Sequence, residues 1–413
     1  MPQRRVVISG AGAVSPLGCG VPTVWAGLIE GRTSVRHCPS LAEVKGLRTT
    51  VAACVPEVDA GSIDRKKRRY MSKMSIYATI AAREALEMAG LGVDEVRGAR
   101  TGVCVGSTTG STVETEKFFL EMEKGRSIEK LKATHFFKIM NSSCAANLAQ
   151  ALGISGRQIA PSAACATGTI AVGLGAESIA SGKQDVMICG GADELHPLTV
   201  GVFDTLEASS RAYNDRPDMT PRPFDRNRDG IVCGEGAGVV VLEALEHARA
   251  RKADILGEVL GFAMNSSPGD IANPGVDSLV ECMVSALGES GLSGEQVGYV
   301  NAHATGTIRG DEAECRALDR VFGRDIPVSS LKGHMGHAMA ACGVLELIAT
   351  LLMMRKGLLA PTRNLQEPDD ICGRLNLLTK LEHRHVEVAM VNSFALGGVN
   401  SAMVISGRPT NDG

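Results

Sequence analysis

Short β-forming apolar runs alternate with helix-periodic segments along nearly the whole chain, and that alternation confines it to an α/β fold with largely buried sheets. Strands read at 5–8, 101–105, 158–160, 185–189 and 236–243, with an amphipathic helix at 75–88 and a helix of small residues at 169–181. Past a junction near 252–259 a second series begins, with strands at 257–262, 297–301, 327–330, 386–391 and 401–405 and helices at 277–290, 310–321 and 340–354. The two series share an order of elements. Internal duplication is therefore expected, with a first half over 1–254 and a second over 255–413, in a chain longer than a single core usually grows. The 48 glycines beside only 3% aromatic residues point to layers packed closely through small residues.

A net charge of -3 with 22% charged and 44% hydrophobic residues is an ordinary globular balance that gives no global reason to bind nucleic acid. The 12 cysteines form no CxxC pair and no zinc-like spacing with histidine, and the opening MPQRRVVISG is not a signal peptide. A reducing, cytoplasmic setting is expected. The longest apolar run, 344–354, contains Glu346 and falls short of the roughly 20 residues a membrane span needs. Gly10-Ala11-Gly12 is no dinucleotide fingerprint, because position 15, where a third glycine would fall, is Ser15; a tight turn after a strand is expected there.

Chemistry gathers at Pro161-Ser162-Ala163-Ala164-Cys165-Ala166-Thr167-Gly168-Thr169, which puts one cysteine between a strand and a helix start. The N–H groups and partial positive charge of a helix N-terminus stabilise a thiolate, so a lowered pKa is expected for Cys165. Three further segments follow β-prone runs: Asn301-Ala302-His303-Ala304-Thr305-Gly306-Thr307, Lys332-Gly333-His334-Met335-Gly336-His337, and Asn392-Ser393-Phe394-Ala395-Leu396-Gly397-Gly398. A lone histidine is usually structural, yet a neutral imidazole in such a loop can donate from Nε2 to a developing oxyanion. Gly397 and Gly398 allow close backbone approach, so an N–H from that loop can join the amide of Cys165 in an oxyanion hole.

Together with Arg222-Pro223-Phe224-Asp225, Arg228-Asp229-Gly230 and Gly234-Glu235-Gly236-Ala237-Gly238, these four ordered motifs resemble the β-ketoacyl-acyl-carrier-protein synthases, in the subgroup that elongates longer acyl chains. The resemblance implies a thiolase-like duplicated five-layer αβαβα fold, usually a homodimer, and a decarboxylative Claisen condensation. By that resemblance Cys165 carries the acyl group, His303 and His337 stabilise the enolate from malonyl-acyl carrier protein, and Lys332 orders His337. The amides of Cys165 and Leu396 hold the oxyanion. Thr305 and Thr307 meet the pantetheine arm, and Phe394, Thr108 and Phe203 line the substrate pocket. No cofactor is implied beyond carrier-borne phosphopantetheine, and no metal beyond a structural cation near Asn301, Glu346, Asn392 and Ser393.

The basic run Arg65-Lys66-Lys67-Arg68-Arg69 is the sharpest in the chain and suits docking of an acidic acyl carrier protein. Ala395 and Leu396 stand where the family usually has Gly and a gating Phe, so specialised acyl selection, in a polyketide, polyene or unusual-lipid pathway, is expected. Two readings compete within the resemblance: a ketosynthase paired with a non-catalytic chain-length subunit, and a carrier-binding scaffold that does no chemistry. Cys165 speaks against the scaffold. A thiolase would need a second catalytic cysteine, and Cys342-Gly343 falls inside the helix expected after His337; a chalcone-synthase-like enzyme would have Asn at position 337.

Overall fold

The computed structural model describes residues 4–269, 271 and 274–410. Its first strand, β1 (Val6–Ser15), is buried along its whole length and runs straight through the segment expected to turn. Close packing is the reason for its glycines. A Cβ on Gly10 or Gly12 would stand 2.0 Å from the Ala85 carbonyl oxygen or 1.8 Å from that of Ala81. Both carbonyls belong to α1 (Lys73–Ala89), which Ser72 caps by accepting from the Ser75 N–H and which Gly90 closes in the left-handed conformation.

The first half continues with β2 (Thr101–Gly106), α2 (Ser143–Leu152), β3 (Gln158–Ile159), α3 (Thr167–Ala180), β4 (Val186–Asp193) and β5 (Gly236–Ala244). The second runs β6 (Gly257–Ser266), α4 (Val276–Ser290), β7 (Tyr299–Asn301), α5 (Ile308–Phe322), β8 (Pro327–Ser329), α6 (Cys342–Lys356), β9 (Val388–Phe394) and β10 (Val399–Ser406). Strand order in the first half is β3-β2-β4-β5-β1 and in the second β8-β7-β9-β10-β6. Counted along each half, both read third, second, fourth, fifth, first.

The pairing senses match as well: the second strand is parallel to the third and fourth, and the fifth is antiparallel to the fourth and first. β1 and β6 then pair antiparallel edge to edge, through Val6↔Val259, Val7↔Glu258 and Ile8↔Gly257, and join both sheets into one path. Three apolar layers separate the elements. Met74, Tyr77 and Leu148 of α1 and α2 cover one outer face, and Leu279, Met283 and Leu318 of α4 and α5 cover the other. Between the sheets, α3 and α6 bury Ile170, Val172, Val344 and Ile348 in one shared core. The result is the helix–sheet–helix–sheet–helix layering of a thiolase-like fold, with the starts of α3 and α6 facing the chemistry. Among the described residues no helix is long and apolar enough to cross a membrane.

Candidate active site

Cys165 sits in a tight turn, Ala164–Ala166, that feeds directly into α3. Ala164 is held at φ 46°, a left-handed conformation costly for a residue with a Cβ, and the Thr167 hydroxyl stabilises it by accepting from the Ala163 N–H and donating to the Ala164 carbonyl. The thiol is 5% exposed. Its expected low pKa is not found: burial pushes Cys165 up to about 11, although the Leu396 amide, the Lys332 charge and its own amide pull the other way. A helix terminus contributes only about 1 kcal/mol, less than desolvation of a buried thiolate costs.

The resting group is therefore held as the neutral thiol. Alkylation of Cys165 by iodoacetamide should accelerate about tenfold per pH unit from 7 to 10. A rate that levels off near pH 7 would restore the low-pKa reading.

His303 follows β7, and its loop is pinned by a residue the sequence reading missed. Glu314 of α5 is buried and accepts the His303 N–H (2.9 Å) on one oxygen and the Ala304 N–H (2.7 Å) on the other. Its signal was present: Asp311 and Glu314 lie on the buried face of an amphipathic helix beside Leu318, where unpaired carboxylates are expensive. Arg228 braces the same loop from below, donating to the carbonyls of Thr307 and Ile308.

His337 follows the turn Lys332–Met335, and its Nδ1 accepts the Met339 N–H at 3.1 Å. A neutral ring so held carries its proton on Nε2, which is buried and has no partner among the described residues. The two imidazole rings lie 5.3 Å apart at 82°, and the Cys165 sulfur and a nitrogen of each ring fall within 4.8 Å of one another. Burial and the nearby Lys332 charge hold both histidines well below their ordinary pKa. Thiol plus two imidazoles is also a metal-ligand set, but a protonated Nε2 on His337 is a donor and not a ligand. The trio is built to give hydrogen bonds.

Lys332 does not line the cavity. It lies fully buried, 2.6 Å from the equally buried Glu346 carboxylate. Burial pulls its pKa down, yet Cys342, Glu346 and Glu314 outweigh that and hold it above the ordinary lysine value. The cavity itself, about 470 Å³, is lined by Cys165, His303 and His337, and further along by Thr305, Thr307, Phe203, Phe394 and Leu396. The Thr305 and Thr307 hydroxyls are 3.1 Å apart. Thr108 does not reach this cavity; its N–H and hydroxyl are both taken by the buried Asp193 carboxylate, a second residue the sequence reading overlooked.

The basic run forms a short helix, Arg65–Arg68, capped by Asp64, and none of its residues lines the cavity. Lys67 and Arg68 are spent on the Ala151 and Ala60 carbonyls, and Arg69 stacks on Tyr70 with its guanidinium 4.6 Å from the ring centre. Arg65, Lys66 and Arg69 are exposed. Of the expected cation cluster, the Asn301, Asn392 and Glu346 side chains each keep one buried oxygen without a hydrogen-bond partner among the described residues, whereas the Ser393 hydroxyl is engaged with Thr169 at 2.8 Å.

Residues 3–248 match the β-ketoacyl synthase N-terminal domain and residues 256–366 the β-ketoacyl synthase C-terminal domain. The chain is 36% identical to 3-oxoacyl-[acyl-carrier-protein] synthase 1 of Haemophilus influenzae, across 97% of this chain and 98% of that one. A β-ketoacyl synthase from Burkholderia phymatum superimposes with a TM-score of 0.95 at 40% identity, covering 98% and 99% of the two chains. A type II PKS acyl-carrier protein in complex with its ketosynthase contains a chain that aligns at a TM-score of 0.89 and 29% identity, again over 98% and 99%.

Proposed function

The chain belongs to the β-ketoacyl synthase family and is a condensing enzyme, and we propose that Cys165 carries the acyl group while His303 and His337 stabilise the enolate. The observation that carries this division is the locked His337 tautomer, which aims an N–H at the space beside the thiol. In the first stage the Cys165 sulfur attacks the thioester carbonyl of an acyl carrier protein. A C–S bond forms, the carrier's C–S bond breaks, and the thiol proton ends on the departing sulfur. The amides of Cys165 and Leu396, both of which reach the Cys165 sulfur, suit the oxyanion that forms there.

In the second stage malonyl-carrier protein loses CO₂, and the electron pair of the broken C–C bond becomes an enolate whose oxygen accepts from the two imidazoles. Its carbon attacks the Cys165 thioester, forming a new C–C bond and expelling the sulfur, which takes up one proton. The product is a 3-ketoacyl-carrier protein two carbons longer. Thr305 and Thr307 offer hydroxyls to the pantetheine arm, with Phe203 and Phe394 as apolar walls. Leu396 is a smaller, aliphatic gate, which supports acyl selection distinct from that of a Phe-gated synthase. Arg65, Lys66 and Arg69 supply the exposed charge for carrier docking.

Asn301, Asn392 and Glu346 each offer an oxygen without a hydrogen-bond partner among the described residues, and oxygen is the ligand type a structural cation would need; such an ion would take no part in the bond changes. We set the boundary between halves at 254/255, in the irregular segment that leads into β6, and expect a homodimer. The cysteines, all free, suit a reducing, cytoplasmic setting.

Intact-protein mass spectrometry after incubation with a panel of acyl carrier proteins tests the assignment. A thioester adduct is expected on Cys165 and none on Cys165→Ala. No adduct with any member of the panel would sink the assignment.

A further inference from the structure

We propose that Asp193 is a positioning residue for the condensation, fixing the turn that presents His337 relative to the segment that presents Cys165; this rests on the roles assigned to those two residues above. Asp193 closes β4, four residues beyond the strand end expected from sequence, and its side chain is 4% exposed. One carboxylate oxygen accepts the Ala340 N–H at 2.8 Å. Both oxygens face the Thr108 N–H, at 3.0 and 3.2 Å, and the Thr108 hydroxyl donates as well. These contacts lead to the two reacting groups by short routes.

Ala340 belongs to the turn Met339–Ala341, and the N–H of Met339 is the one that holds His337 Nδ1. On the other side, the Thr108 carbonyl accepts from the Ser162 hydroxyl at 2.9 Å, three residues before Cys165. One carboxylate from the first half thus ties together the backbone behind His337 and the approach to the nucleophile.

The turn needs such a hold. Met339 sits at φ 49°, a left-handed conformation that a side chain disfavours and that surrounding contacts must enforce. The first half also grips it sterically: a Cβ on Gly191 of β4 or Gly168 of α3 would stand 2.0 or 2.4 Å from the Ala340 carbonyl oxygen. Packing presses the turn in place, and the carboxylate fixes its register, because a buried ionised acceptor makes stronger hydrogen bonds than a neutral one. Burial pushes Asp193 up to about 7, with Glu194 adding to the rise and the Thr108 and Ala340 donors opposing it. The titratable groups facing it are Glu194, Cys144 and Cys165. Protonation removes an acceptor, so the hold weakens as pH falls through that value.

Asp193→Asn is nearly isosteric but turns an amide NH₂ toward donors. Condensation kcat should fall about 10- to 100-fold, as small misplacements of reacting groups do. The KM for the carrier substrates and the extent of Cys165 acylation by mass spectrometry should stay at wild-type levels, and the acid limb of the kcat profile near pH 7 should disappear. Thr108→Val, which spares the Ala340 contact, should lower kcat less. Wild-type kcat and pH profile in Asp193→Asn would overturn the proposal, as would equal losses in acylation and condensation, the mark of general destabilisation. Absence of acylation in the wild-type chain would overturn the parent assignment as well, which keeps the two failures distinguishable.

Discussion

Cys165→Ala should lose condensation by at least about 10⁴-fold, yet still decarboxylate malonyl-carrier protein, whereas His303→Ala should lose decarboxylation as well. The two outcomes separate because the site divides its work between groups that do not depend on one another for position. The sulfur is the atom that accepts the acyl group, so its removal leaves the enolate nothing to attack, and protonation from solvent yields acetyl-carrier protein. The imidazoles keep their geometry without it: His337 is fixed by the Met339 N–H, and the His303 loop by the Glu314 carboxylate. Removing one preorganised donor to a developing oxyanion typically costs about 10²–10³ in rate. Because burial and Lys332 keep both rings neutral, the imidazoles themselves should add no pH dependence to decarboxylation in Cys165→Ala between pH 6 and 8, which leaves any decline on acidification to Asp193. Acetyl-carrier formation, followed by mass spectrometry, reads both variants. Its loss in Cys165→Ala would put the thiol into the decarboxylation step, and its retention in His303→Ala would remove His303 from the enolate.

The readable parts of this chain were those whose cause lies nearby in sequence. Strand and helix order followed from periodicity, and the nucleophile turn, the histidine loops and the Gly-rich loop stood out because each sets reactive groups after an apolar run. What failed had its cause far away. Gly10 and Gly12 look like a turn until Ala81 and Ala85 press their carbonyls against that strand from a helix some seventy residues on. Thr108 looks like a pocket hydroxyl until Asp193, eighty-five residues later, claims it. The pKa of Cys165 went wrong for a related reason: the helix terminus is local and visible, whereas the burial that outweighs it comes from a core assembled from both halves of the chain. Strand order within each sheet is likewise a property of pairing that no single segment carries. Glu314 was readable in principle, as a carboxylate on a buried helix face.

Lys332→Met should lower stability at pH 7 by about 3–5 kcal/mol, the usual cost of leaving one partner of a buried ion pair without the other. Lys332 and Glu346 are each 0% exposed and 2.6 Å apart, and the second Glu346 oxygen has no hydrogen-bond partner among the described residues. In the native chain Lys332 is held above its ordinary pKa. Its contribution is therefore fully present below the unfolded value of about 10.4 and is lost only as pH rises through the folded one.

The variant should behave in the opposite sense. Burial already raises Glu346, and without the lysine nothing opposes that rise except the Cys342 thiol. A carboxyl whose folded pKa lies above its unfolded value gives relative stability as pH falls through the folded value, so Lys332→Met should recover part of its loss on acidification. Denaturant midpoints from pH 8 to 5 would show this, and an unchanged midpoint throughout would mean the pair is not ionised in the native chain. Lys332→Met/Glu346→Leu should regain most of the stability, since apolar replacement of both members of a buried pair is often neutral or better. Activity should not return with it. The Lys332 charge holds down both imidazoles and pulls against the high Cys165 pKa, so a stable double variant with slow condensation would separate the electrostatic role of the lysine from its structural one.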